Sequence, residues 1–236
     1  AGAMTTKTPD VALSLQSICK RQKLPLIHLV ESAGANLLHY GVELWSNAGA
    51  IFRNLAQMSA MGLPTLVVLH GGSTAGGAYM PGMSDYVIGV KKNGMAALGG
   101  AALVRAATGE VAKDRELGGV EMHASVSGVV EYLAEDDAHG LAQARKIFDR
   151  LDWNRRAIPT RRRAYKAPLY DVEELAGAVP TDPKIAYDCR EVLARVVDGS
   201  DIDEFKSRYG PSTLCAHASI TGIACAVIGN NGPIDP

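Results

Sequence analysis

The chain is poor in cysteine, and its cysteines follow no pattern. Cys19, Cys189, Cys215 and Cys225 are the four cysteines in 236 residues, and no two of them form a CxxC pair. Small extracellular domains held by disulfides need a denser and more regular set, so that class is excluded. The sparse spacing favours a reducing compartment, and we expect a cytoplasmic protein.

Long apolar runs and an excess of charge of one sign are also absent. The apolar run in PTLVVLHGG is soon interrupted by glycine, well short of the ~18 residues of a membrane-spanning helix. The 24 Lys and Arg residues nearly balance the 25 Asp and Glu residues, which leaves a formal net charge of −1. Such a chain has no overall field that attracts nucleic acid or an anionic membrane, and we expect neither as a partner.

The apolar content is that of a folded protein. Hydrophobic residues make up 47% of the chain and charged residues 21%. The length suits one domain, or one domain and part of a second. The first residue is not Met, and the last residues follow an apolar run and a turn signal, so we expect a piece of a longer protein.

Strand and helix patterns alternate in the first two thirds of the chain. Apolar runs predict strands at 24–30, 65–69 and 86–90, and a fourth at 125–133. Apolar residues three and four positions apart predict helices over 43–60 and 138–151. This alternation is typical of an α/β domain with a largely parallel sheet.

A basic stretch separates this part from the remainder. Nine basic residues stand against Asp149 and Asp152 between Arg145 and Lys166. With its prolines the stretch indicates an extended linker, although contact with ligand phosphates or with a partner subunit is an alternative. A helix that closes at 198–199 and two strands about Thr221–Gly222 then predict the opening of a second domain. The predicted divisions are 1–154, 155–170 and 171–236.

The segment GGSTAGG at 71–77 is the most informative in the chain. Its glycines let backbone N–H groups approach a ligand without obstruction from a Cβ atom. The spacings of a P-loop and of a dinucleotide-binding loop are both missing, which disfavours phosphate binding. A nucleophile elbow nearly fits around Ser73, but Ala75 stands where that motif has glycine. His123 and Asp136 would complete a catalytic triad only if the fold brought them close.

Stabilisation of one small anionic oxygen is the third chemistry open to this segment. A tight turn at 75–77 would present free N–H groups. A second turn, at 32–36, follows the preceding predicted strand, and neighbouring parallel strands would bring both turns to one edge of the sheet. Donors from the two turns would then flank one thioester carbonyl. The alternative is that these glycines serve only close packing.

Eight stretches between about residues 25 and 234 carry a family pattern. They are LVESAGANL, IFRNLAQMSAMGLP, GGSTAGGAYMPGMSDYVIGV, LVRAATGE, ELGGVEMH, SGVVEYLAEDDAHGLA, VVDGSDIDEFKSRYG and GNNGPID. In them the chain resembles the carboxyltransferase (β) subunits of biotin-dependent acyl-CoA carboxylases, a branch of the crotonase superfamily. The resemblance is greatest to the methylcrotonoyl-CoA and geranyl-CoA carboxylase group.

The resemblance implies a partial crotonase-like superhelix of repeated strand-strand-helix units. Residues 1–154 would be the later part of the acyl-CoA-binding domain, and residues 171–236 would begin the domain on the biotin side. The early part of the first domain and the glycine-rich loop of the second would be missing. Ala101 and Ala102 stand where the group usually has two prolines, which bears on substrate preference.

The resemblance also assigns roles at the glycine-rich turns. It implies oxyanion donors at Gly76 and Gly77, with Gly34 and Ala35 as partners from the other turn. It implies a set of substrate-binding residues as well: Ser73, Thr74, Ala75, Ala78, Tyr79, Gly99 and Gly100. A side-chain base is not required, because the biotin ureido anion would take the α-proton. His28, His39 and His217 lack metal-ligand spacing, and we expect no metal in this chain.

The implied activity is carboxyl transfer from carboxybiotin to the α or γ carbon of an acyl-CoA, in leucine or isoprenoid catabolism. Biotin would be carried by a biotin carboxylase or biotin carrier subunit, and β subunits would form a homo-oligomer, in the mitochondrial matrix if the source is eukaryotic. A branched unsaturated acyl group follows from the resemblance, with propionyl-CoA and acetyl-CoA left open.

Three other functions stay open. One is a biotin-dependent acyl-CoA decarboxylase. Another is a crotonase-type hydratase. That chemistry needs a pair of carboxylates at the site, and near the two glycine-rich segments the sequence has only Glu31 and Asp85. The last is an acyl-CoA-binding or assembly module without turnover.

Overall fold

The computed structural model describes residues 2–5, 7–36, 41–153, 163–182 and 185–232. The chain divides into two compact units, residues 1–149 and 150–236. None of the helices in the described ranges is long and apolar enough to cross a membrane.

The first unit alternates strands with helices, as the sequence predicts. In chain order its elements are β1 (Gly2–Met4), α1 (Thr8–Gln22), β2 (Leu26–Ala35), α2 (Val42–Ala60), β3 (Thr65–Thr74), α3 (Tyr79–Gly82), β4 (Tyr86–Val90), β5 (Met95–Ala97), α4 (Ala101–Thr108), α5 (Asp114–Gly118), α6 (Val120–Met122), β6 (Tyr132–Ala134) and α7 (Asp137–Leu151). A 3-10 helix (Ala75–Ala78) joins β3 to α3, and a π-helical turn (His123–Ser127) follows α6.

The sheet of this unit is parallel throughout. Its strands lie in the order β1-β2-β3-β4-β6, and the short β5 pairs with the last residues of β3. β3 is central, and its residues from Thr65 to Leu69 are all buried. A central parallel strand is covered on both faces, which explains why this segment reads as a continuous apolar run.

Helices cover the sheet through the stripes that the sequence predicts. Five residues of α2 spaced three and four apart are buried: Leu44, Ala48, Ile51, Leu55 and Met58. α7 approaches the sheet at Gly140, where an added Cβ would lie 3.2 Å from Val68 Cγ1 and 3.4 Å from Val90 Cγ2. A second cluster of buried residues, which includes Val67, Val87 and Val120, completes the core.

The structure of this unit differs from the sequence prediction in several places. The strand predicted at 125–133 is wrong in its first part, because the π-helical turn ends at Gly128 with φ +70° and only Tyr132–Ala134 forms a strand. The glycine-rich loop predicted after residue 69 is strand as far as Thr74. Helix α1 was not predicted, since its apolar side chains at Val11 and Leu15 are exposed and mark no core stripe.

The second unit contains a small antiparallel sheet. Its elements are a 3-10 helix (Val172–Glu174), α8 (Leu175–Ala178), α9 (Cys189–Leu193), a 3-10 helix (Asp198–Ser200), β7 (Asp203–Phe205), β8 (Thr213–Ile220) and β9 (Ile223–Asn230). The predicted hairpin is confirmed, with Thr221 and Gly222 at φ +50° and +78° as the two-residue turn. The predicted helix is shorter than expected and ends at Leu193. The first half of the predicted basic linker, residues 155–162, lies outside the described residues.

Candidate functional site

The two glycine-containing turns meet at one edge of the sheet. Ser32 of β2 pairs with Ser73 of β3. Beyond this pair, a Cβ added to Gly34 would lie 3.6 Å from the Thr74 carbonyl oxygen and 3.7 Å from Ala75 Cβ. The turns are therefore in van der Waals contact, as expected for neighbouring parallel strands that end together.

A β-bulge sets the register at this edge. Val30 pairs with Leu69, but the next pair is Ser32 with Ser73, so three residues of β3 lie opposite Glu31. Gly71 is one of these three, and a Cβ on it would collide with the Glu31 side chain. A Cβ at position 71 would therefore force the exposed Glu31 side chain to move, and the bulge brings Ser32 opposite Ser73.

The turn after β3 begins with a strained residue. Ala75 has φ +53°, a conformation rarely adopted by residues other than glycine. Its N–H donates to the Leu98 carbonyl oxygen at 3.1 Å, which ties the turn to the segment after β5. Strain of this kind persists only where neighbouring contacts enforce it.

The N–H groups of Gly76 and Gly77 differ in their surroundings. The i to i+3 bonding of a 3-10 helix directs the Gly77 N–H to the Thr74 carbonyl. The Gly76 N–H belongs to the first turn of this helix, where the i to i+3 pattern provides no acceptor within the helix. Of the two predicted donors in this turn, Gly76 is therefore the one that the helix itself leaves without an acceptor.

Space at the two glycines differs in the same way. A Cβ on Gly77 would lie 2.8 Å from Ser73 Oγ and 3.2 Å from Ser32 Cβ. A Cβ on Gly76 would meet only Phe52 Cζ, at 3.7 Å, which is an ordinary contact. Close packing thus requires glycine at 77, whereas the space at 76 would admit a larger residue.

The turn after β2 is held by its own serine. Gly34 is buried with φ +81°, and its N–H donates to Ser32 Oγ at 3.2 Å. The Asn36 N–H donates to the Met4 carbonyl oxygen of β1 at 3.1 Å. Of the two predicted donors in this turn, Gly34 thus has an acceptor within the protein, and Ala35 is the remaining candidate.

An aromatic pair lies beside the turn after β3. Tyr79 is about half exposed, and its ring centroid lies 5.1 Å from that of Phe52 on α2. Sequence reasoning predicted Tyr79 but missed Phe52, which follows Ile51 and falls off the buried stripe of its helix. The available signal was an aromatic residue directly beside the buried stripe of the helix. Ala78, another predicted residue, packs against the buried core cluster.

Gly99 and Gly100 lie next to the same turn in the chain segment that follows Leu98. Gly99 packs on Leu103, since a Cβ there would lie 2.7 Å from Leu103 Cδ2. Gly100 caps α4, and the next residue, Ala101, donates its N–H to Asp114 Oδ1 at 2.7 Å. Proline at position 101 has no N–H and could not make this bond.

Comparison with known proteins assigns this chain to a family. A model of the carboxyl transferase domain matches residues 1–234. The chain belongs to the carboxyl transferase domain family. It is 43% identical over 222 residues to the mitochondrial methylcrotonoyl-CoA carboxylase beta chain of Dictyostelium discoideum, covering 93% of this chain and 38% of that protein.

Solved structures of carboxyltransferases give the same result. The beta subunit of Pseudomonas aeruginosa geranyl-CoA carboxylase is 47% identical with a TM-score of 0.60, and the match covers 99% of this chain and 43% of that one. A transcarboxylase 12S structure with methylmalonyl-coenzyme A and methylmalonic acid bound is 26% identical with a TM-score of 0.83, covering 97% and 43%. These matches confirm the crotonase-like fold class. The chain spans about two fifths of the length of each of these relatives.

The site at the two glycine turns lacks the geometry of a serine hydrolase in the part of the chain that the structure describes. Ser73 is fully buried, and its hydroxyl has no hydrogen-bond partner among the described residues. Both ring nitrogens of His123 are engaged, Nδ1 with Ser127 Oγ at 2.6 Å and Nε2 with the Ala96 carbonyl oxygen at 2.8 Å. Asp136 accepts the His139 N–H at the start of α7. The described contacts therefore form no triad around Ser73.

The carboxylate pair of a hydratase is also not assembled. Asp85 accepts hydrogen bonds from the N–H and hydroxyl of Thr65, at 2.8 and 3.1 Å. Thr65 and Thr74 are the two ends of β3, which at ~3.3 Å per residue are about 30 Å apart. Asp85 therefore lies at the opposite edge of the sheet from Glu31 and the glycine turns.

Histidines and other metal ligands do not gather at the site. Within the described ranges no three His, Cys, Asp or Glu side chains are grouped so as to hold a metal ion. His28 lies on β2, and burial lowers its pKa below the ordinary value because a low-dielectric surrounding disfavours imidazolium. His39 lies outside the described residues.

Proposed function

We propose that this chain forms part of the carboxyltransferase component of a biotin-dependent acyl-CoA carboxylase. The observation that carries the proposal is the meeting of two glycine turns at the ends of β2 and β3, with the Gly76 N–H in the first turn of the 3-10 helix, where the helix itself provides no acceptor. The thioester oxygen of an acyl-CoA binds between the turns and is stabilised there as the acyl group becomes an enolate. Membership of the carboxyl transferase domain family supports this assignment.

The backbone supplies the catalytic groups in this proposal. Gly76 donates directly from the turn after β3, and Ala35 donates from the turn after β2. Gly77 keeps that turn tight against Ser32 and Ser73, while Gly34 holds the left-handed bend that brings Ala35 to the site. One well-placed oxyanion donor is typically worth ~10²–10³ in kcat.

When bound, carboxybiotin would supply CO2, and the ureido nitrogen that loses it would take the proton from the α or γ carbon of the acyl-CoA, so that the enolate held by the two turns can attack the CO2. This chain then needs no side-chain general base. The positions of His123 and Asp85, both committed to other hydrogen bonds, agree with that division of roles. The biotin is carried by a biotin carboxylase or biotin carrier partner, and copies of the β subunit assemble together.

The substrate in this proposal is a branched, unsaturated acyl-CoA. Similarity to the methylcrotonoyl-CoA and geranyl-CoA carboxylases supports this class. Phe52 and Tyr79, whose ring planes are tilted by 41°, provide aromatic surface beside Gly76, which suits an apolar acyl group. The remaining walls are shaped by Ser73, Thr74, Ala75, Ala78, Gly99 and Gly100.

All four cysteines are free thiols, which supports a reducing compartment such as the cytoplasm.

Carboxylation in the presence of a biotin carboxylase and carrier tests the proposal. Labelled bicarbonate should be fixed into 3-methylcrotonoyl-CoA when the enzyme that contains this chain is combined with its biotin-bearing partner and ATP. Calorimetry with the same acyl-CoA measures binding separately. Binding without label transfer would support an assembly module, and release of label from a carboxylated acyl-CoA without net carboxylation would support the decarboxylase.

A further inference from the structure

Ser32 is in contact with both turns of the proposed oxyanion site. Its Oγ accepts the N–H of Gly34 at 3.2 Å. Its Cβ lies 3.2 Å, and its Oγ 3.4 Å, from the point that a Cβ would occupy on Gly77. One short side chain thus connects the turn after β2 to the turn after β3.

The β-bulge is what gives Ser32 this position. With the register of Val30 and Leu69 continued, Ser32 would pair with Gly71 rather than with Ser73. The shift carries Ser32 towards the end of β3, where the turn begins. Bulges are frequent beside active sites because they redirect a side chain in this manner.

We propose that Ser32 is a positioning residue, which fixes the separation of the two oxyanion turns through its hydrogen bond to Gly34. This inference rests on the proposed function and goes beyond it by naming a side chain that acts through the backbone donors. Gly34 is buried, and a buried N–H without an acceptor is costly. Loss of the Ser32 hydroxyl therefore drives the Gly34 N–H to seek another partner, and the neighbouring Ala35 N–H turns with it.

Three substitutions separate the hydrogen bond from packing. Ser32→Ala removes the acceptor and Ser32→Cys keeps a side chain of similar size with a much weaker acceptor. Ser32→Thr keeps the hydroxyl. Ser125→Ala is the matched control, because the Ser125 hydroxyl is exposed and donates to the Glu121 carbonyl of its own turn.

The measurement is the infrared carbonyl stretch of 3-methylcrotonoyl-CoA labelled with ¹³C at the thioester carbon and bound to the full chain. N–H donors polarise the carbonyl and lower its stretching frequency on binding. We expect Ser32→Ala and Ser32→Cys to lose most of this shift, with Kd changed less than about threefold, while Ser32→Thr and Ser125→Ala retain it. In the assembled carboxylase, kcat should fall roughly ten- to a hundredfold for the first two variants with little change in KM.

The outcomes distinguish this inference from the function on which it rests. A wild-type chain that binds the acyl-CoA without any carbonyl shift overturns the proposed oxyanion site, and the role of Ser32 with it. A wild-type shift that survives in Ser32→Ala and Ser32→Cys overturns the role of Ser32 alone. If Ser32→Ala and Ser32→Cys both fail to fold and for that reason lose acyl-CoA binding, the proposed role is also overturned, since Ser32 would then be needed only for folding.

Discussion

Ser73 Oγ lies 2.8 Å from the point that a Cβ would occupy on Gly77. The Ser73 hydroxyl, at the fully buried end of β3, therefore leaves no room for a side chain at Gly77 in the turn that follows. Gly76, one residue earlier, has open space by comparison. This difference between adjacent glycines makes them a matched pair for mutation.

Gly77→Ala should displace the turn after β3, whereas Gly76→Ala should leave it in place. The added methyl at 77 overlaps Ser73 and Ser32, and at 76 it meets only Phe52 at 3.7 Å. We expect kcat to fall by about 10² for Gly77→Ala, as for loss of an oxyanion donor, and far less for Gly76→Ala. Steady-state kinetics of the carboxylase, with circular dichroism of both variants, checks this. Full activity of a folded Gly77→Ala enzyme would remove Gly77 from the site.

Ser73→Ala should not lower the melting temperature. The Ser73 hydroxyl is buried without a partner in the described part of the chain, and such a group costs ~1–3 kcal/mol, which alanine removes. Activity should stay above roughly a tenth of wild type, because the proposed mechanism gives Ser73 no covalent role. Loss of a serine nucleophile, by contrast, commonly costs ~10⁶ in kcat. Thermal unfolding and kinetics measure the two effects. Covalent labelling of Ser73 by a fluorophosphonate would instead revive the hydrolase alternative.

The clash at Gly77 should depend on Ser73. In a double-mutant cycle, Ser73→Ala should restore part of the activity that Gly77→Ala removes, since the closest of the colliding atoms is then absent. The Ser32 Cβ remains at 3.2 Å, so the recovery should be incomplete. Strict additivity of the two changes in activation free energy would show that Ser73 does not set the space at Gly77.

Gly34→Ala and Gly62→Ala should have similar effects on stability and different effects on the site. Both glycines have positive φ, +81° and +65°, so alanine at either position costs ~1–2 kcal/mol. Only Gly34 touches the turn after β3, and a Cβ on Gly62 would meet nothing within 4 Å. Denaturant titration should show comparable losses, while the infrared shift of a bound thioester should decrease for Gly34→Ala alone.

Acidification should destabilise the first unit through His28. Burial lowers the pKa of His28 in the folded chain, so below the ordinary pKa of about 6.5 the unfolded chain binds more protons. The contribution of neutral His28 to the free energy of unfolding is therefore fully present above pH about 6.5, and it is lost as the pH falls towards the lower pKa of the folded chain. Urea titrations at pH 7.5 and 5.5, followed by Trp45 fluorescence in a Trp153→Phe background, should show a smaller pH effect for His28→Gln.

The sequence by itself determined the architecture of the first unit. Apolar runs and stripes of fixed period located β2, β3, β4, α2 and α7, because each element must bury one face and periodicity is a local property. The glycine spacing of 71–77 disfavoured phosphate loops and left three possibilities: backbone stabilisation of an anion, a nucleophile elbow at Ser73, and close packing alone. Gly34, Gly76 and Gly77 were identified at this level, since only glycine permits such close approach of backbone.

The tertiary structure alone decided which of these groups are free to act. The bulge that pairs Ser32 with Ser73 depends on how two strands distant in sequence fit together, and no pattern within either strand specifies it. The same applies to the capture of the Gly34 N–H by Ser32, to the contact of Phe52 with Tyr79, and to the placement of Asp85 at the far edge of the sheet. Periodicity records which face of an element is buried, but hydrogen-bond partners and shared edges follow from register and packing between elements.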